Sequence, residues 1–549
     1  MNISRFILKT FFGLFLFCLH ANAQISTREE PASFRANIST LRTSERTQVI
    51  LPSLDMEKIQ QEDKEDEANG MPPRFGYIHN VNLNLDNSGE WTVLSDGSRI
   101  WRLVLHCPDA LSVNLLYDKF WVPDNAKFFV YSNDRRHSIG AFTSLNNKGS
   151  RNDIQGFATG LVYGDQVTLE YYLPNNAKEV GIISISGIVH GYRYILPEYA
   201  EYGYGTPGLG FNRSGSCQVN INCPEGNDWQ NEKRAVALIL MGNSLCTGSL
   251  INNANNDYTP YFLTADHCLG GYDAINNPNL NHWTFYWNYE LPPNPNDCNY
   301  SNSTPSEPLA FSTSGAQILA NGNTSVSDFA LLKLAEDPMY FFNHTPRYIP
   351  YYLGWDRTGN SGMGGVGIHH PRGDVKKIAT HNRTPQNYSM NGGSYWSLYW
   401  VQTPNGYSVT EGGSSGSPLI NSNRRVIGQL YGGSSINCSN PANDLGLYGK
   451  FSVSWTGNGL TDNRRKIQPW LDPNNTVTIL DGIDACPTPV VNFINQTVST
   501  NTTITNNCGD INVQNVTITN GAKLTFEAAG EVNIISDFDV RLGSSFEIK

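Results

Sequence analysis

Residues 411–420 read EGGSSGSPLI: a run of glycine and serine that lets the backbone bend sharply, followed by an apolar stretch with the look of a strand. Taken by itself such a run is a linker. It becomes the mount of a reactive hydroxyl only if other parts of the chain supply partners, and two stretches do. In residues 261–270, YFLTADHCLG, His267 follows an apolar strand and precedes Cys268. In residues 326–334, VSDFALLKL, Asp328 opens a strand whose Ala330, Leu332 and Leu334 share one face.

Each residue type has a chemical reason to be there. A serine hydroxyl is a weak nucleophile until an imidazole takes its proton. The imidazole needs a carboxylate on its other nitrogen, to fix the tautomer and stabilise the imidazolium. The tetrahedral oxyanion needs two converging main-chain N–H donors, and glycines beside Ser415 allow a turn that aims the N–H groups of Gly413 and Ser415 at one point. His267, Asp328 and Ser415 are therefore the candidate catalytic residues, with Gly413 and Ser415 as the candidate oxyanion hole.

The bulk composition agrees with a turn-rich, β-rich chain. Only 16% of the 549 residues are charged, enough length for three or four domains, and the net charge of -11 leaves no basic stripe for nucleic acid. Arg5 and Lys9 precede the apolar run FFGLFLFCL, and Ala21-Asn22-Ala23 offers a cleavage site, so residues 1–23 are expected to be a signal peptide and the protein secreted. Export makes the cysteines candidate disulfides. Cys18 would leave with the signal, Cys107 stands alone, and the other eight lie beyond residue 215. An even set downstream of an odd one is what a removable N-terminal segment leaves behind.

Along the chain, residues 24–75 are polar and charge-rich, and QQEDKEDEANG is expected to be mobile. Residues 76–195 alternate short β-patterns (WRLVLHC, KFFVYSN, VTLEYYL, VGIISISG) with turn residues, which predicts a β-sandwich. Residues 196–213 form a Gly-rich connection, and 214–486 again alternate strand-like runs with Gly/Asn/Pro turns. In 487–549 the pattern Val516, Ile518, Gly521, Leu524, Phe526 returns 22 residues later as Phe538, Val540, Gly543, Phe546, Ile548, which predicts a small stacked β-module whose entrance Cys486 and Cys508 could staple.

Residues 214–486 resemble the bacterial lysyl endopeptidases, secreted proteases of the chymotrypsin-like family. The matching stretches include SGSC, CPEG, LCTGSLINN, YFLTADHC, YWNY, SDFALLKL, GWDR, IHHP, VTEGGSSGSP, VIGQLYGG and SWTG. The resemblance implies an all-β double barrel with the site in the cleft between barrels, the triad His267, Asp328 and Ser415, no cofactor and no metal, and protein or peptide substrates. It also implies the pairs Cys217–Cys438, Cys223–Cys298 and Cys246–Cys268, and makes residues 24–213 a propeptide that assists folding and blocks premature activity. The tail resembles C-terminal β-modules of secreted bacterial enzymes, which implies attachment to the cell surface or the export machinery. A monomer is expected.

Substrate preference stays open on sequence grounds. A lysine side chain needs a negative charge at the floor of its pocket, because desolvating an unpartnered ammonium costs several kcal/mol. Lysyl enzymes carry an aspartate two residues before a Tyr-Gly pair; here that position is Gly446, with Asp444 two residues further back, and Tyr431 stands where the family has histidine. Asp444 would favour Lys or Arg; Gly446 alone would leave an uncharged pocket for apolar or aromatic residues. No lysine lies between Lys178 and Ser214, so processing is expected at Arg213 or in YGTPGLGF. A third reading is a protease-like adhesin without catalysis.

Overall fold

The computed structural model describes residues 29–35, 47–195, 213–291, 298, 309–340, 348–434, 438–486, 488, 490–506, 508–528 and 530–549; the expected signal peptide and nearly all of the 196–213 connection lie outside these. Among the described residues the regular structure is mostly strand, with few and short helices.

Residues 47–191 form two stacked sheets. One has six strands centred on Arg99–His106 and Gln166–Leu173, the other five centred on Ser112–Trp121 and Ile182–Gly191. Alternate residues of the first (Trp101, Leu103, Leu105) meet alternate residues of the second (Leu115, Tyr117, Ile183, Ile185) in one apolar core. Cys107 is buried and unpaired there, its thiol pushed up to about 12, first by burial and then by the charge of Asp165, which leaves it unreactive.

The acidic stretch expected to be mobile is instead helical. Met56–Ala68 is α1, with Asp55 accepting from Lys58 N–H at its start. Tertiary contact overrides its polarity: Ile59 is buried, and Arg74 and Arg193 both pair with Asp63.

Beyond them stand two antiparallel sheets. The first contains β1 (Val236–Met241), β2 (Ser244–Leu250), β3 (Tyr261–Thr264), β4 (Trp283–Glu290), β5 (Leu309–Ser314), β6 (Ala316–Gly322) and β7 (Phe329–Leu334), in the order β5-β4-β1-β2-β3-β7-β6. The second contains β8 (Gly365–His369), β9 (Lys377–His381), β10 (Gln386–Met390), β11 (Gly393–Tyr399), β12 (Pro418–Asn421), β13 (Arg425–Ser434) and β14 (Leu445–Lys450), in the order β9-β8-β12-β13-β14-β11-β10, with two short strands at its margin. This is the all-β, two-barrel chymotrypsin-like architecture. Trp283 and Trp287 are core residues of the first sheet, and Tyr289 lies in a second apolar cluster. That cluster joins Phe75, Leu116 and Val189 of the N-terminal half to Leu240, Leu245 and Tyr286.

The C-terminal module is a stack of parallel rungs. Val490–Val498, Asp510–Ile518 and Val532–Val540 form one sheet, and Thr502–Asn506, Lys523–Ala528 and Ser545–Ile548 another. Val516 faces Phe538 and Leu524 faces Phe546, the 22-residue register of the repeat, with Gly521 and Gly543 at φ +73° and +85° in equivalent turns. Disulfides join Cys217–Cys438, Cys223–Cys298, Cys246–Cys268 and Cys486–Cys508.

Candidate active site

His267 and Asp328 meet because β3 and β7 are paired neighbours: Thr264 lies opposite Ala330, so the residues just past one strand end face those just before the other. Asp328 is buried and grips His267 twice, Oδ2 bonding the ring Nδ1 at 2.8 Å and Oδ1 accepting the main-chain N–H at 3.0 Å. Its backbone is left-handed, φ +54°, a costly conformation outside glycine that aims the carboxylate at the ring. Gln429 Nε2 donates to the carbonyl oxygens of Ser327, at 2.7 Å, and Asp328, at 3.4 Å, tying this corner to β13 of the other sheet.

Burial is the largest influence on the His267 imidazole and disfavours its charged form. The charge and hydrogen bond of Asp328, with a smaller push from Asp266, outweigh it and raise the pKa above the ordinary histidine value. Asp266 itself is pushed up to about 6, first by burial; an Asn321 hydrogen bond works against that shift and the Asp328 charge adds to it.

Ser415 arrives from the second sheet. A Cβ on Gly416 would sit 2.1 Å from Thr264 Oγ1 and 2.8 Å from Ala265 N, so only glycine lets the serine loop press against the strand end that presents His267. Thr247 N–H donates to Ser415 O at 2.8 Å, and Gly416 N–H to Leu430 O at 2.8 Å. Among the described residues no hydrogen bond joins Ser415 Oγ to the ring; such contacts are often loose without substrate. The N–H groups of Gly413 and Ser415 donate to no protein acceptor among the described residues, as an oxyanion hole requires.

That loop rests on residues the sequence reading did not assign to the site. Gly413 has φ +91°, and a Cβ there would lie 3.2 Å from both His370 O and Gly373 N. Thr247 Oγ1 donates to Gly413 O at 2.8 Å, and Arg372 N–H to Gly412 O at 2.6 Å. His369 Nδ1 bonds Ser414 Oγ at 2.8 Å; burial, then the Lys377 charge, lowers this histidine to about 3 and keeps it neutral. Glu411 is buried and accepts from Arg372 Nε, Gly215 N–H and Gln218 Nε2, each at 2.9 Å. Thus IHHP and SGSC, seen in sequence only as family matches, converge beneath the serine.

Of the candidate pocket residues, Tyr431 and Gly446 lie on the second sheet and Asp444 in the turn just before β14. Asp444 is 0% exposed, and its Oδ1 is 3.7 Å from where a Cβ on Gly433 of β13 would stand. A Cβ on Gly446 would meet Trp400 and Tyr448, each at 3.4 Å. Tyr431 stands edge-on to His267, ring centres 5.9 Å apart, and borders Tyr395 at 5.7 Å.

Residues 211–449 match the family described as lysyl endopeptidase, C-terminal domain. This region is lysyl endopeptidase-like. The lysyl endopeptidase of Pseudomonas aeruginosa is 31% identical over 302 residues, covering 52% of this chain and 59% of that protein. Among solved structures, a Glu endopeptidase bound to MPD aligns at 19% identity and TM-score 0.24, over 44% of this chain and 93% of its own. The active form of the Rv3671c protease from M. tuberculosis aligns at 16% and 0.24, over 45% and 87%.

Proposed function

We propose that the protein is a secreted serine endopeptidase made as a precursor, with His267, Asp328 and Ser415 as its triad. The observation that carries this reading is the buried Asp328 carboxylate bonded at 2.8 Å to the His267 ring, beside a serine loop held against the same strand end. Ser415 Oγ attacks the scissile carbonyl carbon while His267 Nε2 takes its proton. The oxyanion is held by the N–H groups of Gly413 and Ser415; collapse expels the amine, which receives the proton from His267. Water, deprotonated by the same imidazole, then hydrolyses the acyl-enzyme and frees Ser415.

The side chain preceding the scissile bond is read as lysine, recognised by Asp444. A wholly buried carboxylate near Gly433 offers a desolvated ammonium the partner it needs. In this reading residues 1–23 are a signal peptide, 24–213 a propeptide, 214–486 the protease and 487–549 an appended module. The lysyl endopeptidase relative and the disulfides support an extracellular setting.

The test is a digest of a proteome-derived peptide library alongside fluorophosphonate labelling. Cuts after lysine and modification of Ser415 are expected. Cuts after apolar residues would remove the role given to Asp444, and an unlabelled Ser415 would end the protease reading in favour of an adhesin.

A further inference from the structure

An extended piece of the N-terminal half lies on the protease region as an added strand. Leu245 N–H donates to Pro73 O at 2.9 Å, Phe75 N–H donates to Asn243 O at 2.8 Å, and Arg74 faces Ser244 in an antiparallel bridge. Asn243 Nδ2 adds a bond to Gly76 O at 3.0 Å. Phe75 is wholly buried in the cluster that includes Leu240, Leu245 and Tyr286. The strap is clamped from behind: Asp63 of α1 pairs with Arg74 at 2.9 Å and Arg193 at 2.7 Å, and accepts the Tyr192 hydroxyl at 3.1 Å.

Its position relative to the site is informative. Leu245 adjoins Cys246, whose disulfide partner Cys268 comes directly after His267, and two residues on Thr247 bonds Ser415 O. Pro73 Cγ is 3.6 Å from the Cβ position of Gly412, beside the oxyanion loop. Gly433 lies in β13 of the second sheet and Asp444 directly before its β14, whereas the strap lies on β2 of the first. A peptide with its side chain in that pocket must cross Ser415 and leave over β2. Yet His267 keeps 20% of its side chain exposed and Ser415 is also partly exposed, so the strap does not seal the nucleophile.

We propose that Pro73–Phe75 occupies the track meant for the leaving-group half of a peptide substrate, closing that half of the cleft while the nucleophile and side-chain pocket stay open. This deepens the serine endopeptidase reading and rests on it. It makes the intact chain selective by the size of the leaving group: a small ester reacts, an extended peptide is shut out.

The experiment uses the intact full chain, its integrity checked by mass spectrometry at the end of each assay. Two substrates are compared: an N-blocked lysine p-nitrophenyl ester, and an internally quenched peptide with four residues beyond lysine. Two variants, Phe75→Ala and Asp63→Asn, loosen the strap without touching the catalytic groups; the second serves if the first fails to fold. The ratio of peptide to ester hydrolysis is expected to rise at least about tenfold in the variants, since two main-chain hydrogen bonds and a buried ring are lost or weakened. Fluorophosphonate labelling of Ser415 should be equal in all three proteins. A ratio unchanged by either variant overturns the inference and leaves the protease reading intact. Failure of both the ester and the fluorophosphonate in every protein overturns that reading, and the inference with it.

Discussion

The two halves of the site are held in different ways. On the first sheet, His267 is fixed by charge: one buried carboxylate bonds both its ring and its main chain. On the second, Ser415 is fixed by shape. Gly413 and Gly416 take backbone conformations where a side chain would collide, and neutral or paired groups (His369, Glu411 with Arg372) prop the loop from below. The first half should therefore answer to pH, the second to volume. The difference shows in the partners: His267 is held by one residue, Asp328, whereas the loop carrying Ser415 draws on residues scattered from Gly215 to Arg372.

The largest effect should come from Asp328→Asn. The neutral imidazole is the active form, so activity falls as pH drops through the His267 pKa, which Asp328 holds above the ordinary value. Removing the charge lowers that pKa and moves the acid limb of kcat/KM to lower pH. Loss of the correct tautomer lowers kcat by roughly 10⁴-fold. A pH–rate profile measures both, and an acid limb that stays in place would mean that Asp328 does not set the base.

Gly413→Ala tests the other half. The left-handed backbone and the 3.2 Å approach to His370 O and Gly373 N leave no room for a methyl, so the oxyanion donors must shift. Activity should fall on the order of 10²–10³-fold, the loss seen when an oxyanion donor is removed. The acid limb should not move, because no titrating group is touched. A coincident shift would collapse the distinction between the halves.

Legibility in the sequence divides along the same line. The repeat register was legible where rungs pair at a 22-residue offset, Val516 with Phe538 and Leu524 with Phe546, so a local pattern carries the long-range contact; the first rung pairs more closely, Val490 with Asp510, and left no such echo. The meeting of His267 with Asp328 was legible because an imidazole that serves as a base needs a carboxylate on its other nitrogen. Asp444 could be proposed but not placed, since its depth depends on the bend before β14 and on Gly433 across the sheet. Glu411 and His369 carried no signal beyond family likeness. The helix at 56–68 was hidden because its acidic face is balanced by Arg74 and Arg193, one of them 130 residues away.

A smaller effect is expected from His369→Gln. The imidazole is buried and stays neutral across the working range, so its contribution to Ser414 is steric and hydrogen-bonding only. kcat should fall about tenfold through a loosened oxyanion loop, with KM and the acid limb nearly unchanged. A pH-dependent loss would show instead that this histidine titrates.

The smallest effect, and the finest test of the charge-held half, is Asp266→Asn. Asp266 lies beside His267 and titrates near pH 6 because burial and the Asp328 charge raise it from the ordinary 3.8. Between those two values the folded protein holds a proton that the unfolded chain has given up. Stability therefore falls as pH rises through this window, and the deficit persists above it. Asparagine keeps the acceptor for Asn321 and never ionises, so the variant should be more stable than the parent at pH 8, by on the order of 1 kcal/mol, and equal to it below about pH 4. It also removes a negative neighbour that raises His267, so the acid limb should move down by under about half a unit. Thermal melts across pH and the kcat/KM profile read the two consequences separately. A stability gain without the kinetic shift would confine Asp266 to the fold and leave Asp328 as the carboxylate that tunes the base.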